Sequence, residues 1–221
     1  MPEKSDIIWI YCDELRTDAL ACYGHPRLQL RTPNLDGLAR SGVRFTNNFC
    51  NAPVCVASRY CTLTGLYPED TGVYNNEGAW PNFRLPGVLQ TFPRVFAENS
   101  YSTANFGKIH VVPEIRPGVN PEHEIFQYHD GTGGEMKIWQ HLGQDAVQMI
   151  RSPYGGMNGG IFPDSETYPP DSVVENALQW LQTATSPYLM RLSLLQPHTP
   201  VLPPAQGLIG FQREAHRHPT R

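Results

Sequence analysis

IIWIYCDE, residues 7–14, is a nearly continuous apolar run that stops on two acids. A strand buried on one face alternates apolar with polar residues, whereas one buried on both faces does not, and such strands belong to parallel sheets covered by helices. The run therefore predicts a parallel strand buried on both faces, with Asp13 and Glu14 at its carboxyl end. Two later stretches repeat the arrangement. YSTANFG (101–107) leads to Lys108 and His110, and YLMRLSLL (188–195) leads to His198. Ligands of open parallel sheets bind beyond the carboxyl ends of the strands, so the three strands are expected to bring Asp13, Glu14, Lys108, His110 and His198 to one edge.

Between these strands the spacing predicts helices, and with them an α/β fold with a mainly parallel sheet flanked by helices. Thr32 as N-cap, Pro33 at the first helical position, Leu35 and Leu38 on one face and Gly42 as a stop define one helix. VRFTN (43–47) reads as a short strand. Leu85, Val88, Leu89, Phe92, Val95 and Phe96 fall at helical spacing that Pro93 interrupts. Asp171 caps DSVVENALQWLQ, where Val174, Ala177, Leu178 and Leu181 share a face. The stretch from Pro113 to Pro170 is rich in Pro, Gly and His; it predicts long surface excursions with one short helix around Met136 to Met149.

The chain has 221 residues, enough to bury a substantial core or to form part of a larger architecture. A hydrophobic share of 40%, a charged share of 17% and a formal charge of −4 describe an ordinary globular protein and exclude a polyanion-binding signal, so no nucleic acid partner is expected. No apolar run is long enough to cross a bilayer, and MPEKSDIIWI lacks the layout of a signal peptide; the expectation is a cytoplasmic protein without membrane contact. Five cysteines, Cys12, Cys22, Cys50, Cys55 and Cys61, are odd in number and confined to the first third. That argues against a disulfide framework and leaves at least one free or modified thiol.

In VCVASRYCTLTG (54–65), Cys55 falls at the start of a helix running through Arg59 to Leu63. Unpaired backbone N–H groups and the helix dipole favour an anion there, and Arg59, one turn along, adds its charge. A thiol at such a position is reactive. A generic thiol-dependent enzyme would also need a histidine and an orienting acid packed on Cys55, and no local motif demands them. The other four cysteines read as structural. His25, His123, His129, His141, His216 and His218 read as surface residues.

Cys55-x-Ala57-x-Arg59 followed by Leu63-Thr64-Gly65 resembles the signature of the type I sulfatases of the alkaline phosphatase superfamily, with Ala57 where their usual form has proline. IYCDELRTDALACYG with RTPNLDGLARSGVRFTNNFCNAPVC is similar to the amino-terminal segment of that family. NFGKIHV matches its Gly-Lys-x-His segment, and LSLLQPHTPVLPP its strand followed by Pro-His-x-Pro. Four motifs in the family's order make the resemblance specific.

The resemblance implies that Cys55 is oxidised to formylglycine by a maturation enzyme and that Asp13, Glu14 and residue 55 bind a divalent metal, calcium with magnesium or manganese as alternatives. It also implies that Cys55, Arg59, Lys108 and His110 are catalytic, while Lys108 and His198 contact the substrate. The hydrated aldehyde would attack sulfur through one hydroxyl and expel sulfate when the second loses its proton to His110. The substrate class so implied is a sulfate ester or sulfamate of a small molecule or sugar. A phosphonate or phosphodiester hydrolase is the enzymatic alternative. A non-catalytic remnant is the alternative of another class, because the family's later strand with an Asp-His or Asp-Asn metal pair has no counterpart in VLPPAQGLIGFQREAHRHPTR (201–221). The organisation expected is residues 1–205 as the amino-terminal part of a sulfatase catalytic domain, truncated after the Pro-His-x-Pro segment, and 206–221 as an irregular basic tail.

Overall fold

The computed structural model describes residues 4–25, 30–76, 90–111, 125–130, 148–151, 157–163, 167–199 and 201–205. In chain order the strands are β1 (Ile7–Cys12), β2 (Ser102–Gly107), β3 (Tyr128–His129), β4 (Gln148–Arg151), β5 (Met157–Ile161) and β6 (Tyr188–Leu194). The helices are α1 (Pro33–Ser41), α2 (Cys55–Thr64), α3 (Pro68–Thr71), α4 (Phe92–Glu98) and α5 (Pro169–Leu181).

The main sheet is parallel throughout, in the order β1-β6-β2-β3. The last of the described strands thus lies second in the sheet. Pairing runs from Ile7↔Leu189 to Cys12↔Leu194 on one side of β6 and from Ser102↔Tyr188 to Gly107↔Ser193 on the other, so three strands end level. The ladder continues one residue further on each side. Asp13 N–H donates to the Leu194 carbonyl at 3.0 Å and Lys108 N–H to the Ser193 carbonyl at 3.1 Å. The backbone of the two expected site residues is therefore fixed by the sheet itself.

Helix α5 covers one face, packing Val173, Val174, Ala177, Trp180 and Leu181 on Ala104, Phe106, Met190 and Leu192. Each large apolar side chain buried in this way contributes roughly 1.5–3 kcal/mol relative to exposure. On the other face Leu63, Ile109, Ile125 and Phe126 pack with Trp9 and Phe92, and α2 adds Val56, Ala57, Tyr60 and Cys61 against Ala52 and Val73. Burial on both faces holds for β2 and β6 but not for β1, where Ile8 and Ile10 are 51% and 52% exposed. The α5 cluster lies over the two inner strands, which leaves this face of β1 uncovered by it.

Several expected elements differ. VRFTN is not a strand: Val43 and Phe45 are exposed, and the Phe45 carbonyl accepts from the Tyr23 hydroxyl at 2.8 Å rather than from a strand. β-branched and aromatic composition without a neighbouring strand does not make one. Pro93 does not interrupt a helix; it occupies the first turn of α4, where its missing N–H costs nothing, while Leu85, Val88 and Leu89 lie outside the described residues. Helix α5 starts at Pro169 by the same logic, which puts Asp171 in its first turn rather than at its cap. Thr32 does precede α1, but its hydroxyl donates to Asp36 at 2.9 Å instead of capping.

The Pro-, Gly- and His-rich region also supplies strands. Tyr128 and His129 form β3 beside β2, with His129 half-buried rather than on the surface. Gln148–Arg151 pairs antiparallel with Met157–Ile161, so Gln148 and Met149 are strand where a helix was expected; residues 136–147 lie outside the described ones. Val201 and Pro204 bridge to Gly159 and Phe162, which ties the chain after His198 to β5. Among the described residues no helix is long and apolar enough to cross a membrane. All five cysteines are free.

Candidate active site

Asp13, one residue past β1, is 7% exposed and is the centre of the arrangement. Its Oδ2 accepts from Lys108 Nζ at 2.6 Å and from Arg59 Nη2 at 3.0 Å. The Cys55 thiol faces the other oxygen, with Sγ 3.9 Å from Oδ1. Burial by itself would raise the Asp13 carboxyl; the ammonium of Lys108 and the guanidinium of Arg59 outweigh it and hold the group below its ordinary value. The carboxylate is thus ionised at neutral pH and shared between two cations.

Cys55 is the first residue of α2, where the sequence puts it. One orphan donor of that helix end is already used, because Val56 N–H donates to Asn76 Oδ1 at 3.0 Å. Arg59, a turn along, is 1% exposed. Its Nη1 donates to the carbonyls of Lys108 (2.8 Å) and Ile109 (3.4 Å) and to Ser193 Oγ (3.2 Å), and its guanidinium lies 5.1 Å from the Tyr11 ring centroid. Arg59 therefore clamps the end of β2 to Asp13.

The turn after β2 needs left-handed backbone twice. Gly107 has φ +84°, and a Cβ there would meet the Ser193 carbonyl oxygen at 2.2 Å. His110 has φ 48°, unusual for a residue with a side chain, and Glu14 has φ 54°. His110 is exposed, and partial desolvation followed by the charges of Lys108 and Arg59 pushes its imidazole below the ordinary value. It is predominantly neutral at pH 7, a form able to accept a proton.

His198 and Glu14 meet at the other rim. His198 Nε2 lies 3.5 Å from Glu14 Oε1, and Thr199 N–H donates to Glu14 Oε2 at 3.2 Å. Glu14 is thus turned toward the loop after β6, and it is His198 whose ligand atom falls with Asp13 and Cys55, all within 4.8 Å of one another. The structure brings Asp13, Cys55, Arg59 and Lys108 into one contact network and His198 beside it. A separate cavity of about 560 Å³, lined by Trp9, Tyr11, Phe45, Phe49 and Ser58 among others, contains none of the seven expected site residues.

Sequence reasoning missed Arg191. It occupies the middle of β6, 1% exposed, in register with Trp9 on one side and Asn105 on the other. Nη1 donates to Asn105 Oδ1 at 2.9 Å and to the Lys108 carbonyl at 3.3 Å, and the guanidinium lies 4.8 Å from the Trp9 ring centroid and 4.7 Å from that of Tyr11. Burial, and then the neighbouring Arg59, lower its pKa to about 9. The signal was present: one charged residue inside a mainly apolar strand segment, YLMRLSL, is rare unless it has a partner to meet.

A family model described as Sulfatase matches residues 5–213. The chain belongs to the sulfatase family. It is 30% identical, over 90% of its own length and 36% of the relative's, to an ulvan-active sulfatase of Formosa agariphila. The chain spans little more than a third of that relative. Among solved structures, a protein determined in complex with its substrate D-glucosamine-2-N,6-O-disulfate superimposes with a TM-score of 0.67 at 24% identity, covering 96% of this chain and 38% of that one. The phosphonate monoester hydrolase of Agrobacterium radiobacter gives 0.67 at 22%, covering 91% and 43%. These likenesses establish an alkaline-phosphatase-like sulfatase fold.

The family implies a divalent metal and a formylglycine. Among the described residues the donors that fall together come from Asp13, Cys55 Sγ and a ring nitrogen of His198, and Asp13 Oδ2 is already committed to Lys108 and Arg59. With a thiol the set is mixed sulfur, nitrogen and oxygen, suited to a zinc-like ion; with oxygen at position 55 it shifts toward the hard ions magnesium and calcium. The group fits a divalent cation on the Oδ1 side of Asp13.

Proposed function

We propose that this chain carries the nucleophile end of a formylglycine-dependent sulfatase site, acting on a sulfate ester or sulfamate of a small molecule or sugar. The observation that carries the reading is the convergence on Asp13 of Cys55, Arg59 and Lys108, drawn from a helix start and two strand ends. A maturation enzyme would oxidise Cys55 to the aldehyde, whose hydrate offers one hydroxyl to attack sulfur and a second through which the sulfate is released. A divalent ion, calcium in this reading, would be held by Asp13, residue 55 and the Glu14–His198 rim, and when bound supplies Lewis-acid stabilisation of a deprotonated oxygen.

The chain's own groups divide the remaining work. Lys108 meets the sulfuryl oxygens as negative charge redistributes in the transition state, while His198, whose ring nitrogen lies with Asp13 and Cys55, belongs with the residues that would hold the ion. Arg59, all but buried, fixes Asp13 and the Lys108 carbonyl, so it positions the two groups and adds its charge from beneath. His110, held neutral, accepts the proton of the second hydroxyl.

The test is release of an aryl alcohol from an aryl sulfate and from an aryl phosphonate monoester, by the chain co-expressed with a formylglycine-generating enzyme and by its Cys55→Ala variant. Faster turnover of the sulfate, lost in the variant, with an aldehyde at residue 55 by mass spectrometry, is expected. Preferential cleavage of the phosphonate would move the protein to the rival reaction. A confirmed aldehyde with no turnover of either ester would overturn catalysis by this chain.

A further inference from the structure

The buried charged residues among those described are Asp13, Arg59, Lys108 and Arg191; the first three meet beyond the strand ends, and Arg191, from the middle of β6, reaches toward them as far as the Lys108 carbonyl. Three are positive and one is negative. Asp13 pairs with Arg59 and Lys108, both through Oδ2, whereas no carboxylate among the described residues lies within ion-pair distance of Arg191. Arg191 Nε also finds no hydrogen-bond acceptor among them. Burying an arginine without a counter-charge is costly, and packing requires none here, since Met190 and Leu192 on either side serve the α5 cluster from the opposite face. What lowers the cost is a built cradle: the rings of Trp9 and Tyr11 at cation–π distance, the Asn105 amide oxygen, and the Lys108 carbonyl that Arg59 also holds. The Tyr11 ring lies near both guanidiniums, 5.1 Å from Arg59 and 4.7 Å from Arg191.

We infer that Arg191 is a positioning residue of electrostatic kind: a fixed buried cation whose uncompensated charge makes the Cys55 end of the sheet a site for a tetrahedral oxyanion such as sulfate. The inference rests on the sulfatase reading for its ligand class and deepens it by adding a residue that the family motifs do not contain. An arginine stays protonated across physiological pH, and in a medium that solvates poorly its field is weakly screened, so the excess positive charge is answered by an anion arriving at the rim. Arg191 itself does not touch that anion. It acts through the potential it sets beneath Arg59 and Lys108.

Equilibrium dialysis of the full chain against radiolabelled inorganic sulfate at low ionic strength tests this, with Arg191→Met and Arg191→Lys compared and melting temperatures recorded. Methionine keeps the length and removes the charge; lysine keeps the charge and removes the planar fork. The expected result is a roughly tenfold loss of sulfate affinity in Arg191→Met without a lower melting temperature, and an affinity within about threefold of the parent in Arg191→Lys. Unchanged affinity in the methionine variant overturns the inference. So does an equal loss in both variants with the fold intact, which would assign the residue a purely geometric role, and so does a parent chain that binds no sulfate. If Arg191→Met does not fold, Arg191→Lys decides alone: retained affinity supports the inference and a tenfold loss overturns it. Failure of the parent to cleave aryl sulfates while it still binds sulfate would remove the proposed activity and leave this inference standing.

Discussion

Lys108 reaches across 95 positions of sequence to place its ammonium 2.6 Å from Asp13 Oδ2, and both residues stand one step beyond a strand that pairs with β6. The contact is a product of topology. Because the strand from the far end of the chain inserts between β1 and β2, their ends lie two strand spacings apart, a gap that one lysine side chain spans. Arg59 then closes the gap from the helix side.

The first prediction concerns that shared carboxylate. Asp13→Asn keeps the shape and deletes the charge, leaving two buried cations facing each other. Breaking a buried pair in this way costs about 3–5 kcal/mol. Urea unfolding of the variant should show a loss of that order, and a loss under about 1 kcal/mol, the range of exposed pairs, would mean the cluster is solvated and the network weak.

How much of this was legible in the sequence depended on whether an element's partner was local. The strands leading to Asp13 and His198 announced themselves as mainly apolar runs, although β1 is covered on one face only, and α2 did so because a glycine stop and a helix-start cysteine lie within a dozen residues. VRFTN has a strand's composition and lacks only a neighbour, which no composition reports. Strands β3 to β5 are short and set among prolines and glycines, and their pairing is fixed by the sheet edge and by one another rather than by their own periodicity. Arg191 was hidden differently: its strand is plain in the sequence, but the groups that accommodate the one charged residue in it lie on β1 and β2, far away along the chain.

Gly107 gives the second prediction. Alanine there combines a left-handed φ with a Cβ placed 2.2 Å from the Ser193 carbonyl oxygen, so either β2 or β6 must shift. Gly65, which ends α2 at φ +72° with nothing within 4 Å of where a Cβ would stand, is the control. Gly65→Ala should cost about 1–2 kcal/mol, the strain of the left-handed conformation alone. Gly107→Ala should cost clearly more, or yield no folded protein, by chemical denaturation. Equal losses at the two positions would contradict the close approach of β2 and β6.

Asn76 offers a third. Its side-chain oxygen accepts from the Val56 N–H in the first turn of α2, the role of a capping residue supplied from outside the helix. Asn76→Ala should lower stability by about 1 kcal/mol, as loss of an N-cap does. Asn76→Asp should recover it, because a carboxylate accepts the same bond and suits the helix end. If Asn76→Ala melts with the parent, the N–H is satisfied by water and the contact contributes nothing.

Two groups of the candidate site have pKa values lowered by the fold, and each makes stability depend on pH. For His110, with an ordinary value of 6.5, the unfolded chain takes up a proton before the folded one, so stability is full above 6.5 and declines as pH falls below it. For Asp13, with an ordinary value of 3.8, the ionised form is held by Lys108 and Arg59, so its contribution persists at 3.8 and disappears as pH drops through the lower folded value. Urea midpoints measured from pH 8 downward should therefore stay level to about 6.5, decline, and decline again below 3.8. His110→Asn, a residue that tolerates the same positive φ, should remove the upper decline and leave the lower one, while Asp13→Asn should do the reverse. An upper decline that survives unchanged in His110→Asn would show that His110 is not the group whose protonation destabilises the fold in that range.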